Sequence, residues 1–195
     1  MRVPTGRREG WRRCHALPWR LAICCLYLLS CGKAANDGFA APPVEELPSY
    51  DQEAARVFDD SIAPEVFGLQ VERASPARDS LLRKRSQAAD YIARVKLRTI
   101  REERFGDSLR YRIVVQRLGD SIRGDTLPPQ LELTVGRASP SLVMLRSMSV
   151  EVVGATFILL LKRYQLNNEP VLHFRGESDK ATILKAIQQA NAPTP

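Results

Sequence analysis

From Tyr91 onward, apolar and polar residues alternate with period two. Tyr91, Ala93, Val95 and Leu97 alternate with Arg94, Lys96 and Arg98, and Leu109, Tyr111, Ile113 and Val115 alternate with Arg110, Arg112 and Gln116. Successive side chains of a strand point to opposite faces, so each run predicts a strand with one buried side. Gly106-Asp107 between them fits a two-residue hairpin turn with glycine at the first central position. Pairing outward from that turn sets Ile113 opposite Ile100 but Val115 opposite Arg98, whereas faces must agree across a pair. One extra residue near Thr99, a β-bulge, brings Leu97 opposite Val115 and merges the two apolar faces. The first strand is therefore expected over residues 91–104, bent near Thr99.

The remaining pattern predicts further elements in order. Residues 119–129 read as a loop by their Gly, Asp and Pro content, and Leu131, Leu133 and Val135 alternate as a third strand. Ser139 as a cap and Pro140 at the first helical position open a short helix to Met148, with Leu142, Leu145 and Met148 at helical spacing. Residues 156–165 are the most hydrophobic stretch after residue 31, and the run Phe157 to Leu161 suits a strand buried on both faces. Asn167-Asn168 turns the chain into a fifth strand over residues 171–175. Ser178 then caps a final helix with the stripe Ile183, Leu184, Ile187 and Ala190.

Upstream, Ser49 and Gln52 have the form of a capping box before Ala54, Ala55, Val57 and Phe58, and Asp59-Asp60-Ser61 and Pro64 interrupt that helix. A turn at residues 66–69 leads to a short extended piece, residues 69–72. A helix over residues 80–89 follows, with Leu81, Leu82 and Ala88 inward. These elements define one α+β domain over residues 49–195. Three strands, a helix and two strands resembles the order of the oligonucleotide/oligosaccharide-binding fold, a five-stranded partly open barrel. The alternative is a five-stranded antiparallel sheet covered on one face by helices.

The first 48 residues carry a different signal. Arg2, Arg7, Arg8, Arg12, Arg13 and Arg20 precede a nine-residue apolar core, 21–29, which falls well short of the roughly 20 residues that span a bilayer. Leu28-Leu29-Ser30-Cys31 resembles the lipobox of bacterial lipoprotein signal peptides, with Leu28, Ser30 and Cys31 on its pattern and Leu29 bulkier than its usual small residue. The resemblance implies removal of residues 1–30, acylation of Cys31 and a lipid-anchored protein of the bacterial cell envelope. Gly32 after the cysteine, rather than the Asp associated with inner-membrane retention, implies an outer-membrane location facing the periplasm. Residues 32–48, rich in small residues and proline, are expected to form a flexible tether.

Removing that signal changes the electrostatic picture. Six of the 29 Lys and Arg and one of the 22 Asp and Glu lie before Cys31, which leaves 23 against 21 and lowers the net charge from +7 to +2. A net charge so small gives the domain no global field toward nucleic acid, which is not an expected partner. Of the four cysteines, Cys14, Cys24 and Cys25 leave with the signal and Cys31 carries the lipid, so no disulfide is expected.

Candidate chemistry is sparse. His173 is the one histidine after residue 31, which excludes by count a zinc site or nucleophilic triad built on several His and Cys. Asp59-Asp60 offers two adjacent carboxylates for a cation, for acid–base work or for a cap, whereas Asp120, Asp125 and Glu177 lack calcium-loop spacing. No catalytic residue, metal ligand or cofactor site is assigned. The surface feature that stands out is a cationic stripe, Arg94, Lys96 and Arg98 from the first strand with Arg110 and Arg112 from the second, as a face for an anionic ligand. The expected partners are the membrane through the N-terminal lipid, and an anionic envelope polymer, lipid headgroup or envelope protein. The expected function is non-enzymatic binding or scaffolding; a carboxylate-based envelope hydrolase and a structural subunit of an envelope complex are the alternatives.

Overall fold

In the computed structural model, residues 47–72, 75–125 and 127–192 are described. The lipobox, Cys31 and most of the tether lie outside them. The elements are α1 (Gln52–Val57), β1 (Ser61–Ile62), a 3-10 turn (Pro64–Phe67), a second 3-10 turn (Pro76–Arg78), α2 (Ser80–Ala88), β2 (Tyr91–Phe105), β3 (Ser108–Arg123), β4 (Gln130–Val135), α3 (Ser141–Met148), β5 (Thr156–Leu166), β6 (Glu169–Ser178) and α4 (Ala181–Asn191).

The strands form one sheet in the order β1-β6-β5-β2-β3-β4. It is six-stranded, mixed and open, which corrects both the five-stranded antiparallel sheet and the barrel. The added strand, β1, contributes two residues and runs parallel to β6, with Ser61 opposite Arg175 and Ile62 opposite Gly176. Two residues are too few to show any alternation, so this strand leaves no periodic trace. The sheet stays open because its end strands, β4 and β1, do not pair with each other.

The β2–β3 hairpin follows the register read from the pattern. Ile100 lies opposite Ile113 and Leu97 opposite Val115, with the register shift between Leu97 and Thr99. Gly106 takes φ 56°, as the first central position of a II′ turn requires. Asn167 and Asn168 both adopt left-handed φ, 52° and 63°, at the β5–β6 turn. The expected loop from residue 119 is corrected: β3 continues to Arg123, with Ala93 opposite Ser121 and Ile92 opposite Arg123 across two further register shifts. Gly119, at φ 69°, is absorbed inside the strand and the chain turns only at Gly124. Turn-forming residues mark irregular backbone, and a long twisted hairpin takes that up as bulges.

Two layers cover the sheet. Tyr91, Ala93, Val95, Leu97, Ile113, Val115, Leu133, Phe157, Leu159, Leu161 and Phe174 pack with Phe67, Leu145 and Val152 on one face. On the other, Ile92, Ile158, Leu160 and Tyr164 pack against Val57 and Phe58, Leu82 of α2, and Ile183 and Ile187 of α4. Phe157 to Leu161 have no exposed surface, as their unbroken apolar run required. The α1–α2–α4 layer ends at the start of β2. Farther out the same face is bare, and β4 shows strict exposed–buried alternation.

Helix ends depart from expectation in detail. Asp51, not Ser49, caps α1, accepting from the Ala54 amide at 2.8 Å. Asp79 caps α2 through the amides of Leu81 and Leu82, and Leu81 is exposed rather than inward. Ser139 Oγ accepts from the Ser141 amide at 3.2 Å, one residue farther from the helix than a standard cap. Ser178 ends β6 and α4 starts behind Lys180 without a side-chain cap. Residues 69–72 join no strand.

Gly124 sits at φ 81°, and a Cβ there would lie 2.3 Å from the Asp90 carbonyl oxygen and 2.8 Å from Tyr91 Cδ1. Gly124→Ala is expected to lower stability in urea unfolding by more than about 1–2 kcal/mol. Gly136→Ala, where a Cβ meets nothing within 4 Å, should stay within about 0.5 kcal/mol of the parent.

Candidate functional site

The structure splits the five cations of the predicted stripe into two groups. Arg94 and Lys96 continue the face that Ile92 begins, and beyond the bulge that face carries Arg101, Glu103, Arg110 and Arg112. Arg94 is forked onto Asp179, with contacts of 2.6–3.1 Å. Arg110 donates to Glu103 at 2.8 Å, and Arg112 bridges Glu103 at 2.8 Å and Glu132 at 2.5 Å. Burial pushes the Glu103 carboxyl up, but hydrogen bonds from Arg110 and Arg112 prevail and hold it below the ordinary glutamate range. Lys96, Arg98 and Arg101 form no ion pair among the described residues. Arg101 was missed because its position depends on where the bulge resets the alternation.

The two adjacent aspartates part company. Asp60 accepts from the Phe174 amide at 3.0 Å and faces His173 Nδ1 at 2.8 Å, while its own amide donates to the Phe174 carbonyl at 3.0 Å. Ser139 Oγ donates to the Asp60 carbonyl at 2.7 Å. Four contacts therefore hold Asp60 in the left-handed region, φ 51°. The His173 ring stacks on Tyr50 at 3.5 Å and 3°, with Tyr164 edge-on. Tyr50 in turn donates to the Phe58 carbonyl at 2.9 Å. Chemically, Asp60 orients His173 as a base would be oriented, but the aromatic cover makes the pair a tie between the entering chain and β6.

Asp59 joins a second, deeper cluster. Arg85 of α2 and Arg175 of β6 both donate to Glu177 Oε1, at 3.1 and 3.0 Å. Arg175 also reaches Asp59 at 3.3 Å and bonds Ser61 Oγ, and Arg85 Nε donates to the Val57 carbonyl at 2.8 Å. Glu177 is 1% exposed and belongs to β6, not to a loop. Desolvation by burial pulls the Arg85 guanidinium below its ordinary value, with the charge of Arg175 adding to it. Two cations and two carboxylates make the cluster neutral. Nothing in the sequence marks this cluster, because Arg85 lies among other cations of a short helix and Arg175 at the end of the predicted fifth strand.

A cleft of about 500 Å³ opens between the end of α2, the β3 turn and β5, lined by Asp90, Tyr91, Arg123, Asp125, Lys162 and Arg163 among others. Asp90 accepts from Lys162 Nζ at 2.6 Å and from the Arg163 amide at 2.8 Å. Arg123 Nη1 donates to the carbonyls of Ser86 and Gln87 and to Asn191 Oδ1, at 2.7–2.8 Å. It thus places a cation at the C-terminal ends of α2 and α4, where the helix dipoles favour one. Asp125 lines this cleft and Asp120 is exposed on β3, so the loop acids do not converge.

Among the described residues no group of three or more His, Cys, Asp or Glu side chains is placed to hold a metal ion. No helix among them is long and apolar enough to cross a membrane. The fold and its surfaces thus define an α+β domain on an open, mixed, six-stranded sheet. No family model matches the chain, and comparisons with curated proteins and with solved structures give no match.

Glu177→Ala leaves Arg85 and Arg175 buried without their shared acceptor and is expected to cost about 3–5 kcal/mol in urea unfolding. Glu53→Ala, at the exposed pair with Lys84, should cost less than about 1 kcal/mol. Burial, with the charges of Asp60 and Asp59, pushes the Tyr50 hydroxyl up to about 12, and burial pushes Tyr164 to about 12. Between the ordinary tyrosine value of about 10 and about 12, the folded chain keeps protons that the unfolded chain releases. Stability is therefore complete below about pH 10 and falls as pH rises toward 12. Tyr50→Phe should flatten that fall when unfolding is followed across this window.

Proposed function

We propose that this chain is a lipid-anchored protein of the bacterial cell envelope, at the outer membrane facing the periplasm, whose domain binds an anionic partner without catalysis. Acylated Cys31 is the anchor, on the strength of the lipobox. The observation that carries the binding reading is the half of the sheet left bare by α1, α2 and α4. There Lys96, Arg98 and Arg101 are free of ion pairs among the described residues, beside Arg94, Arg110 and Arg112, whose carboxylate partners fix them in place. An open sheet face with cations that form no ion pair among the described residues suits an extended anionic polymer or a layer of headgroups better than a small substrate.

The hydrolase alternative needs two carboxylates converging on open space. Asp59 and Asp60, the adjacent pair, are instead each bonded to β6. That arrangement favours binding over hydrolysis.

Two measurements test this reading. Cys31→Ser should move the protein from the membrane to the soluble fraction; unchanged fractionation would remove the anchor and the compartment with it. Reversing Lys96, Arg98 and Arg101 together to Glu should weaken binding to isolated envelope fractions by at least about tenfold, since each cation near an anionic surface contributes about 1 kcal/mol. Equal binding would reduce the face to ordinary solvation.

A further inference from the structure

We infer that the turn after α3, together with the bulged edge of β2, forms a second contact with the bilayer, one that seats the domain on an anionic lipid surface. The inference rests on the anchored reading above and names which part of the domain faces the membrane.

α3 buries Leu145 and packs Leu142, Met144 and Met148 against the core. The outer side of the same segment carries three valines among the polar residues Arg146, Ser147 and Glu151. Val143 on α3 is 72% exposed, and Val150 at 81% and Val153 at 45% stand on the turn that follows it. The turn holding the last two is fixed: the Gly154 amide donates to the Leu97 carbonyl at 2.8 Å, the Leu97 amide to Ala155 at 2.9 Å, and Val152 is buried. Those bonds set Val153, the residue before Gly154, beside the β2 bulge. Lys96 Cε comes within 4.0 Å of the space a Cβ on Gly154 would fill, and Arg98 is exposed two residues along.

Three aliphatic side chains, flanked by long cations without ion pairs among the described residues, match an interface of acyl chains under anionic headgroups. Aromatic anchors and a groove, which would mark a protein partner, are missing from this patch among the described residues. Glu151 is exposed between Val150 and Val153 and opposes the attraction. Lys96 and Arg98, with Arg146 exposed on α3, outnumber it. Each contact is weak alone, but the lipid at Cys31 keeps the domain close to the bilayer and raises the effective concentration of the surface.

The test uses the full chain as isolated, bound to phosphatidylcholine vesicles with or without phosphatidylglycerol. Flotation reports anchoring, and amide hydrogen exchange reports which segment touches lipid. Exchange over residues 143–153 is expected to slow several-fold on anionic vesicles, little on neutral ones, and not at all in Lys96→Glu/Arg98→Glu. Val150→Asp, at an exposed position that folding does not need, should abolish the same protection. Flotation without protection of residues 143–153 overturns the docking surface and leaves the anchor standing. Protection on anionic vesicles with no flotation on neutral ones sustains the surface and removes the anchor. Equal protection on both vesicles overturns the surface as an anionic-lipid site, and protection without vesicles that grows with protein concentration assigns it to a second copy.

Discussion

Burial of β5 on both faces is the constraint from which the rest of the architecture follows. Five consecutive residues, Phe157 to Leu161, have no exposed surface, so each face of the sheet must be covered at that point. Ile158 and Leu160 call for the α1–α2–α4 layer, and Phe157, Leu159 and Leu161 call for α3 and the turn holding Phe67. Elements from both ends of the domain are thereby recruited to one strand. β2 inherits the two-sided core only at its start, where Ile92 is buried beside Tyr91 and Ala93.

Where that double cover stops, the chemistry changes. On the covered side, charged groups are internal and matched. Glu177 serves two arginines from different elements, and Asp60 ties the entering chain to β6 through a backbone amide and an imidazole. A buried ion cluster gives little net stability, because desolvation offsets much of the attraction, yet removing one member leaves a charge stranded. Its bonds tie α2, β1 and β6 together. On the bare side, charges alternate across β2, β3 and β4 in exposed pairs, which solvent screens and which contribute little to stability. Lys96, Arg98 and Arg101 have no ion pair there among the described residues.

The region around residue 97 joins these two regimes. The bulge lets the apolar alternation of β2 stay in phase with β3, and the Leu97 backbone also bonds the turn at Gly154 and Ala155. The backbone beside that irregularity thus also holds the turn that carries Val150 and Val153. Core packing and surface presentation are coupled at that one position.

Elements whose periodicity extends over several residues were legible in the chain: the paired β2 and β3 with their bulge, the doubly buried β5, and α3 and α4. Period and face agreement are local properties, and two adjacent strands joined by a two-residue turn can be registered by counting. The parallel β1 was not legible, since two residues carry no period and its partner lies more than a hundred residues away. Nor were Arg85, Arg175 and Glu177 recognisable as a cluster, because in sequence each resembles a surface charge and only the approach of α2 to β6 removes water from all three. The cationic stripe was half visible: alternation placed Arg94, Lys96, Arg98, Arg110 and Arg112 on one face, but Asp179, Glu103 and Glu132 reach three of them only in the folded sheet. What the chain encodes locally is which side of each element avoids water; which charges remain unneutralised is decided when distant elements bring their own.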